Sequence, residues 1–314
     1  MQLIQTLTNH WNRVSNQVGR VITLILLVGL SGCANIKAAG TFGAATGSMS
    51  TTIRSELDVM DTLCLQRAEL AINVGNRDDD VPRQDCKNFK AAEGRLGQYT
   101  LDVFDALSTA LNNLADDKDW SLSSDISNVG TSISNLKDKN GVQLVKPESV
   151  GAVDKVVNLI ADIATAKLRR DAVKHVIASS DSMKELGDLL KSFFVQTATA
   201  PISGTTPPYQ TWIEINQISL DGIDAALAGV LHKQEPIRAR ELRTQVKDLR
   251  VQLAARGPTG IPLRIGEAID TWKTSVDTFK QEGLESDPKT LYTQLRELAK
   301  TTKGVKDAIE AARN

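Results

Sequence analysis

The stretch FKAAEGRLGQYTLDVFDALSTALNNL, residues 89–114, decides the fold. Its apolar side chains Phe89, Ala92, Leu96, Tyr99, Val103, Leu107, Ala110 and Leu114 recur at steps of three and four. A helix turns once in about 3.6 residues, so these positions form one stripe, whereas a strand would alternate with period two. The same spacing extends outward from this seam. Ile53, Leu57, Met60 and Cys64 precede it, and Ile126, Val129, Ile133 and Leu136 follow. Val153, Val157, Ile160 and Ala164 lie beside a second stripe of Val156, Leu159, Ile163 and Val173, which makes that helix apolar over a wide arc. Met183, Leu186, Leu190 and Phe193 read as its continuation.

In the second half, Ile213, Leu220, Ile223, Leu227 and Val230 resume the pattern. Leu242, Val246, Leu249 and Leu253 repeat it, then Ile265, Ile269, Trp272, Val276 and Phe279, then Leu291, Leu295, Leu298, Val305 and Ile309. The breaks are chemical. Residues 198–208 contain Pro201, Gly204, Pro207 and Pro208 and read as an exposed loop, and Gly257-Pro258 with Gly260 and Pro262 form a second stop. Pro236 kinks a helix or opens one, and Ser286-Asp287-Pro288 resembles a cap and first turn. Gly141 to Val145 reads as a short extended piece in a loop. The expected fold is all-α, an elongated multi-helix bundle of about seven to nine helices with coiled-coil-like seams. Residues 53–197 form its first part and 209–314 its second, most simply as one continuous bundle. Aromatics make up 4% of the chain, which suits thin helix–helix seams better than a thick core.

The N-terminal segment has a different character. Residues 1–20 carry Arg13 and Arg20 and no acid, and residues 21–30 are almost wholly apolar. A basic flank and a short apolar core describe a secretory signal. Ten apolar residues fall well short of the roughly 20 that a spanning helix needs. The core closes on Leu30-Ser31-Gly32-Cys33, an aliphatic residue, two small residues and a cysteine. This resembles the lipobox of bacterial lipoproteins, and the resemblance covers residues 1–34 alone. It implies cleavage between Gly32 and Cys33, a diacylglycerol on the Cys33 thiol and acylation of the new amine. One acyl chain holds weakly and two hold stably, at about 0.8 kcal/mol per buried CH₂. In lipoproteins an Asp after the cysteine commonly retains the protein at the inner membrane. Ala34 therefore points to the outer membrane, with the body facing the periplasm.

Cleavage after residue 32 of the 314 leaves 282 residues, with a formal charge of −3. Residues 33–52, rich in Ala, Gly, Ser and Thr, are expected as the lipidated cysteine and a flexible tether, or as an irregular packed arm. With Cys33 given to lipid, Cys64 and Cys86 remain, and an exported compartment favours a disulfide between them over two free buried thiols.

Residue patterns for catalysis are missing. His175 and His232 each sit among Lys or Arg with no nearby Cys or second His, so no metal site is expected. No nucleophile elbow, phosphate loop or zinc-protease motif occurs. Asp78-Asp79-Asp80 lacks the alternating oxygen ligands of a calcium loop and reads as solvated. From Lys233 to Arg264 the net charge is +5. Arg240, Arg243, Lys247 and Arg250 share one flank of a helix, with Glu241 and Asp248 on the other. This arrangement suits a helix lying between oppositely charged neighbours, or alternatively a docking strip for an anionic partner. A second basic cluster, Lys167-Leu168-Arg169-Arg170 with Lys174, has no interleaved aromatics for stacking bases, and no nucleic acid is expected.

The expected function is a non-catalytic, lipid-anchored scaffold or interaction module of the bacterial envelope. Its partners are the bilayer through acylated Cys33 and an envelope protein or a second copy. No enzyme activity and no cofactor are expected. Two alternatives have distinct tests. A small-ligand carrier or enzyme using a bundle cavity would retain a ligand in native mass spectrometry, and a toxin-like, membrane-active protein would release dye from liposomes.

Overall fold

The computed structural model describes residues 2–75, 81–91, 93–116, 123–137, 141–166, 168–197, 201–202, 206–231, 233, 235–285 and 288–313, with side chains from residue 36 onward. The chain is an elongated, almost all-α bundle of about nine principal helices, and no sheet forms among the described residues. The helices are α1 (Gln2–Gly75), α2 (Val81–Ala91), α3 (Glu93–Asp116), the short α4 (Ser124–Ser127) and α5 (Val129–Ser134), α6 (Pro147–Thr165), α7 (Arg169–Ala178) and α8 (Ser180–Phe194). They continue as α9 (Pro208–Ala226), α10 (Pro236–Ala254), α11 (Ile261–Glu282) and α12 (Lys289–Ala311). Pro147, Pro208, Pro236 and Pro262 fall in first turns, where a missing N–H costs nothing.

α1 is the spine. The part of α1 near Phe42 lies beside α3, α11 and α12, and the part beyond Glu56 lies beside α2, α9 and α10. The apolar stripes meet in one contiguous core, in which Leu96, Val103, Leu107, Val153, Ile160, Leu186, Ile269 and Leu298 are buried. α8 and α11 run antiparallel, and four ion pairs keep their register: Lys280–Asp181, Lys184–Asp277, Lys273–Asp188 and Lys191–Asp270 at 3.3, 2.8, 2.5 and 2.6 Å. Each step along α8 is matched by an equal step back along α11. Such exposed pairs stabilise little individually, but a one-turn slip would break all four together.

Three expectations are revised. The seam read as continuing from α6 through residue 193 divides into α6, α7 and α8, because Ala166 and Leu168 are extended and Ser179 leaves helical geometry. The 198–208 loop is not wholly exposed: Ile202 is buried and bridges Val145, and Pro207 and Pro208 are buried. That bridge also bears out the extended piece near residue 145. Residues 198–200 and 203–205 lie outside the described residues.

The largest correction concerns the tether. Residues 36–52 are helical, and Ala38, Ala39, Phe42, Thr46, Met49 and Ser50 are fully buried. The small residues there serve close packing. A Cβ on Gly43 would lie 2.8 Å from Leu111 Cβ and 3.0 Å from the Ser108 carbonyl, and Gly40 and Gly47 are closed by Ala115 and Ser108. Ser108 Oγ donates to the Gly43 carbonyl at 2.8 Å, and Ser50 Oγ donates to Leu101 O at 3.3 Å. Phe42 fills the other side, stacked on Trp272 and Phe279 at 6.1 and 5.5 Å, while Trp272 Nε1 donates to Thr46 Oγ1 at 2.9 Å. Low hydrophobicity and high Gly content suggest a coil, yet the same residues let two helix backbones approach closely.

Gly43→Leu is therefore expected to destabilise the protein by about 1–3 kcal/mol through overpacking. Gly222 has open space around its missing side chain, so Gly222→Ala should stabilise by roughly 0.5–1 kcal/mol through helix propensity. Urea titration of both variants checks the contrast. Equal midpoints for the two would show that the α1–α3 approach is not tight.

Candidate functional site

Four groups of residues bear on function. The first is the proposed cleavage and lipidation point. Gly32 and Cys33 fall within α1, but their side chains lie outside those described. The second is the cysteine pair. Cys64 on α1 and Cys86 on α2 form a disulfide, with sulfurs 2.01 Å and Cα atoms 5.8 Å apart. It fastens α2 to the spine. Arg67, one turn along from Cys64, extends its guanidinium beside both sulfurs, with Nη2 3.7 Å from Cys64 Sγ and 3.5 Å from Cys86 Sγ. Its Nη1 donates to Ser219 Oγ on α9 at 2.9 Å. Burial pushes the Arg67 pKa below the usual arginine value, and Asp85 pulls part of the way back. Arg67 Nε has no hydrogen-bond partner among the described residues.

The third group is the basic flank of α10. Arg250 bridges Asp221 and Asp224 of α9 at 2.7 and 3.0 Å. Arg243 Nη2 donates to the Leu227 carbonyl at 3.3 Å, beside the π-helical turn Leu227–Leu231 that follows α9. Arg240 and Lys247 are exposed and make no ion pair among the described residues. Of the four candidate docking residues, Arg250 is thus engaged by acids of α9 and Arg243 by a backbone carbonyl at its end. This leaves a divided pair of cations in place of a continuous strip.

The fourth group was not apparent from the sequence. Glu56, Tyr209 and Arg256 are buried together, at 0%, 0% and 1% exposure. Arg256 Nε and Nη2 donate to the two Glu56 carboxylate oxygens at 2.7 and 3.3 Å, and the Tyr209 hydroxyl donates to Glu56 Oε1 at 2.7 Å. Arg256 Nη1 donates to Gln252 O at 2.7 Å. The cluster joins α1, the start of α9 and the turn between α10 and α11. Burial pushes the Glu56 carboxyl above the usual range, while Arg256 and the Tyr209 hydroxyl pull it back. Burial also pushes the Tyr209 phenol well up, with the Glu56 charge adding to it. The group is closed off from solvent, a structural junction in which both Glu56 carboxylate oxygens are engaged. One sequence signal could have flagged it. Glu56 stands three residues after Ile53 and four before Met60, a charge placed on an apolar stripe.

No group of three or more His, Cys, Asp and Glu among the described residues is placed to hold a metal ion. His175 is exposed, with Nδ1 3.9 Å from Asp162. His232, Lys167 and the Asp78–Asp80 run lie outside the described residues. One recess is an open groove of about 650 Å³ between the packed start of α1, the end of α3 and the start of α7, lined by Lys37, Gly40, Thr41, Asn112, Asp116 and Arg169 among others. A smaller one of about 440 Å³ lies between α1 and α12.

Comparison with protein-family models, with curated proteins and with solved structures finds no match to this chain. No described helix is long and apolar enough to cross a membrane.

Proposed function

We propose that this protein is a non-catalytic, lipid-anchored helical scaffold or interaction module of the bacterial cell envelope, held in the outer membrane through Cys33 with its body in the periplasm. The observation that carries the reading is the Leu30-Ser31-Gly32-Cys33 sequence, which ends five residues before Ala38, the start of the packed core. The Cys64–Cys86 disulfide suits an oxidising, exported setting. The bundle gives such a module a rigid body with long exposed helix faces. Ile215 and Ile218 on α9 and Ile237 on α10 stand exposed at the end remote from Cys33.

Metabolic labelling with an alkyne-bearing fatty acid tests the anchor. The wild-type protein is expected to carry the label and sediment with membranes, and Cys33→Ser to lose both completely. Label retained on Cys33→Ser, or none on the wild type, would remove the basis of the reading.

A further inference from the structure

α7 has an unusual place in the bundle. Most principal helices run along α1, but α7 is short and touches α1, α6, α8 and α11 near one end of the packed bundle. Arg169 at its start shares the larger groove with Ile36, Lys37 and Gly40. α8 follows directly, with Asp181 paired to Lys280 at the end of α11, and Phe279 of α11 stacks on Phe42. These contacts place α7 at the base of the bundle, beside the first packed turns of α1. Ala172, Val173 and Val176 turn inward and are buried. Leu168, Arg170, Lys174 and His175 are exposed, Leu168 at 64%.

The base is also where the acyl group would be. This inference rests on the anchoring reading above. If Cys33 is acylated, Lys37 follows it by four residues. At 1.5 Å per helical residue that is about 6 Å. Because residues 36–52 are packed helix, no flexible tether holds the body away from the lipid. The outward face of α7 then lies within roughly one Debye length, 8–10 Å, of the headgroups.

The chemistry of that face fits an anionic lipid surface. Arg169, Arg170 and Lys174 outnumber Asp171 on α7, and Lys37 adds a further exposed cation. Lys174 is paired to Asp171 at 2.8 Å, and Asp162 faces His175, while Asp116 at the end of α3 is the acid lining the groove. Exposed Leu168 at the N-terminal edge supplies an apolar side chain that can enter the headgroup layer. We infer that α7 is a membrane-apposed foot: the body stands directly on the leaflet, with Leu168, Arg170, Lys174 and Lys37 against anionic headgroups. The lipid anchor and the foot together would fix the orientation of the bundle, so that α1 carries the α9–α10 end away from the bilayer. From Lys37 to Asn73, against which Arg238 is hydrogen-bonded, the spine rises about 54 Å.

The test uses the acylated protein in vesicles of phosphatidylethanolamine and phosphatidylglycerol. With Cys33 acylated and Cys64 bonded to Cys86, an introduced cysteine is the only free thiol. Leu168→Cys and Arg240→Cys each receive a small fluorophore, and a lipid with a nitroxide on its headgroup serves as quencher. The label at 168 is expected to be quenched severalfold, and the label at 240 to be unchanged. At about 1 kcal/mol per cation near an anionic surface, Arg170→Gln and Lys174→Gln should each lower the ratio of apposed to detached bodies roughly fivefold. Restored emission at 168 in the double variant, with helicity and acylation intact, supports the foot. Equal quenching at 168 and 240 overturns it, as does quenching at 168 that ignores both substitutions. Intact mass separates the two ideas. A protein without acyl mass on Cys33 fails the anchoring reading and the foot with it, whereas an acylated protein with an unquenched 168 fails the foot alone.

Discussion

Glu56→Leu is expected to cost about 3–5 kcal/mol of stability, because it strands the Arg256 guanidinium in a site that is 1% exposed. For a chain of this size the melting temperature should fall by on the order of 10 °C. The loss does not measure what the ion pair contributes. Two charges were taken out of water to form it, and the upward push on the Glu56 carboxyl reflects that cost. Glu56→Leu combined with Arg256→Met and Tyr209→Phe should therefore recover most of the loss, since an apolar set of similar volume strands no buried group. Thermal unfolding followed by circular dichroism distinguishes the outcomes. A triple variant as damaged as the single one would mean that the cluster is a net source of stability. Specificity is the physical role that remains for it. The cluster pins α1, α9 and the α10–α11 turn at one level, a register that interchangeable apolar seams do not define alone.

Reduction of the Cys64–Cys86 bond is expected to lower stability by about 3 kcal/mol, as the cross-link spans 22 residues of sequence. The effect should be uneven. α2 is attached to the spine by this bond and by the Lys90–Asp61 and Arg83–Glu69 ion pairs, and to α9 by Phe89 packed on Trp212. The ion pairs are exposed and contribute little. Hydrogen exchange over residues 81–91 should therefore accelerate on reduction more than exchange over α3 or α11. A Cys64→Ala, Cys86→Ala variant should melt at the reduced temperature with or without reductant. An unshifted wild-type midpoint under reductant would show that α2 docks without the bond.

Much of the helical order was legible in the spacing of apolar residues. The stripes at 96–110, 242–253, 265–279 and 291–309 coincide with buried helix faces, because a period near 3.6 has one solution that hides every apolar group. The seam read over 89–114 is divided: Phe89 lies on α2, the rest of it on α3, and Ala92 lies outside the described residues. The breaks at Gly257-Pro258 and near Pro236 were legible for a similarly local reason. Residues 36–52 were not. Gly, Ala, Ser and Thr carry too little hydrophobicity to declare a face, and their value depends on α3 being there to approach. The same dependence hid the partners of Arg243 and Arg250. Charge alone admits a docking strip or a neighbour, and Asp221 and Asp224 become partners of Arg250, and the Leu227 carbonyl a partner of Arg243, only once α9 lies alongside. Glu56 showed as a charge on an apolar stripe, but Arg256 lies 200 residues away, beyond any local pattern.

By itself, the sequence determined an all-α chain, the approximate extent of most helices and the Cys64–Cys86 pair as the bonded cysteines, because backbone period and cysteine count are properties of single segments. It also carries the Leu30-Ser31-Gly32-Cys33 motif on which the anchoring proposal rests. The tertiary structure alone decided that the small-residue segment is a packed part of the spine, that α7 sits at the base beside it, and that a buried Glu–Arg–Tyr junction ties distant turns together. Those features arise from pairs of surfaces, and a close approach or a buried charge has meaning only when both members are present.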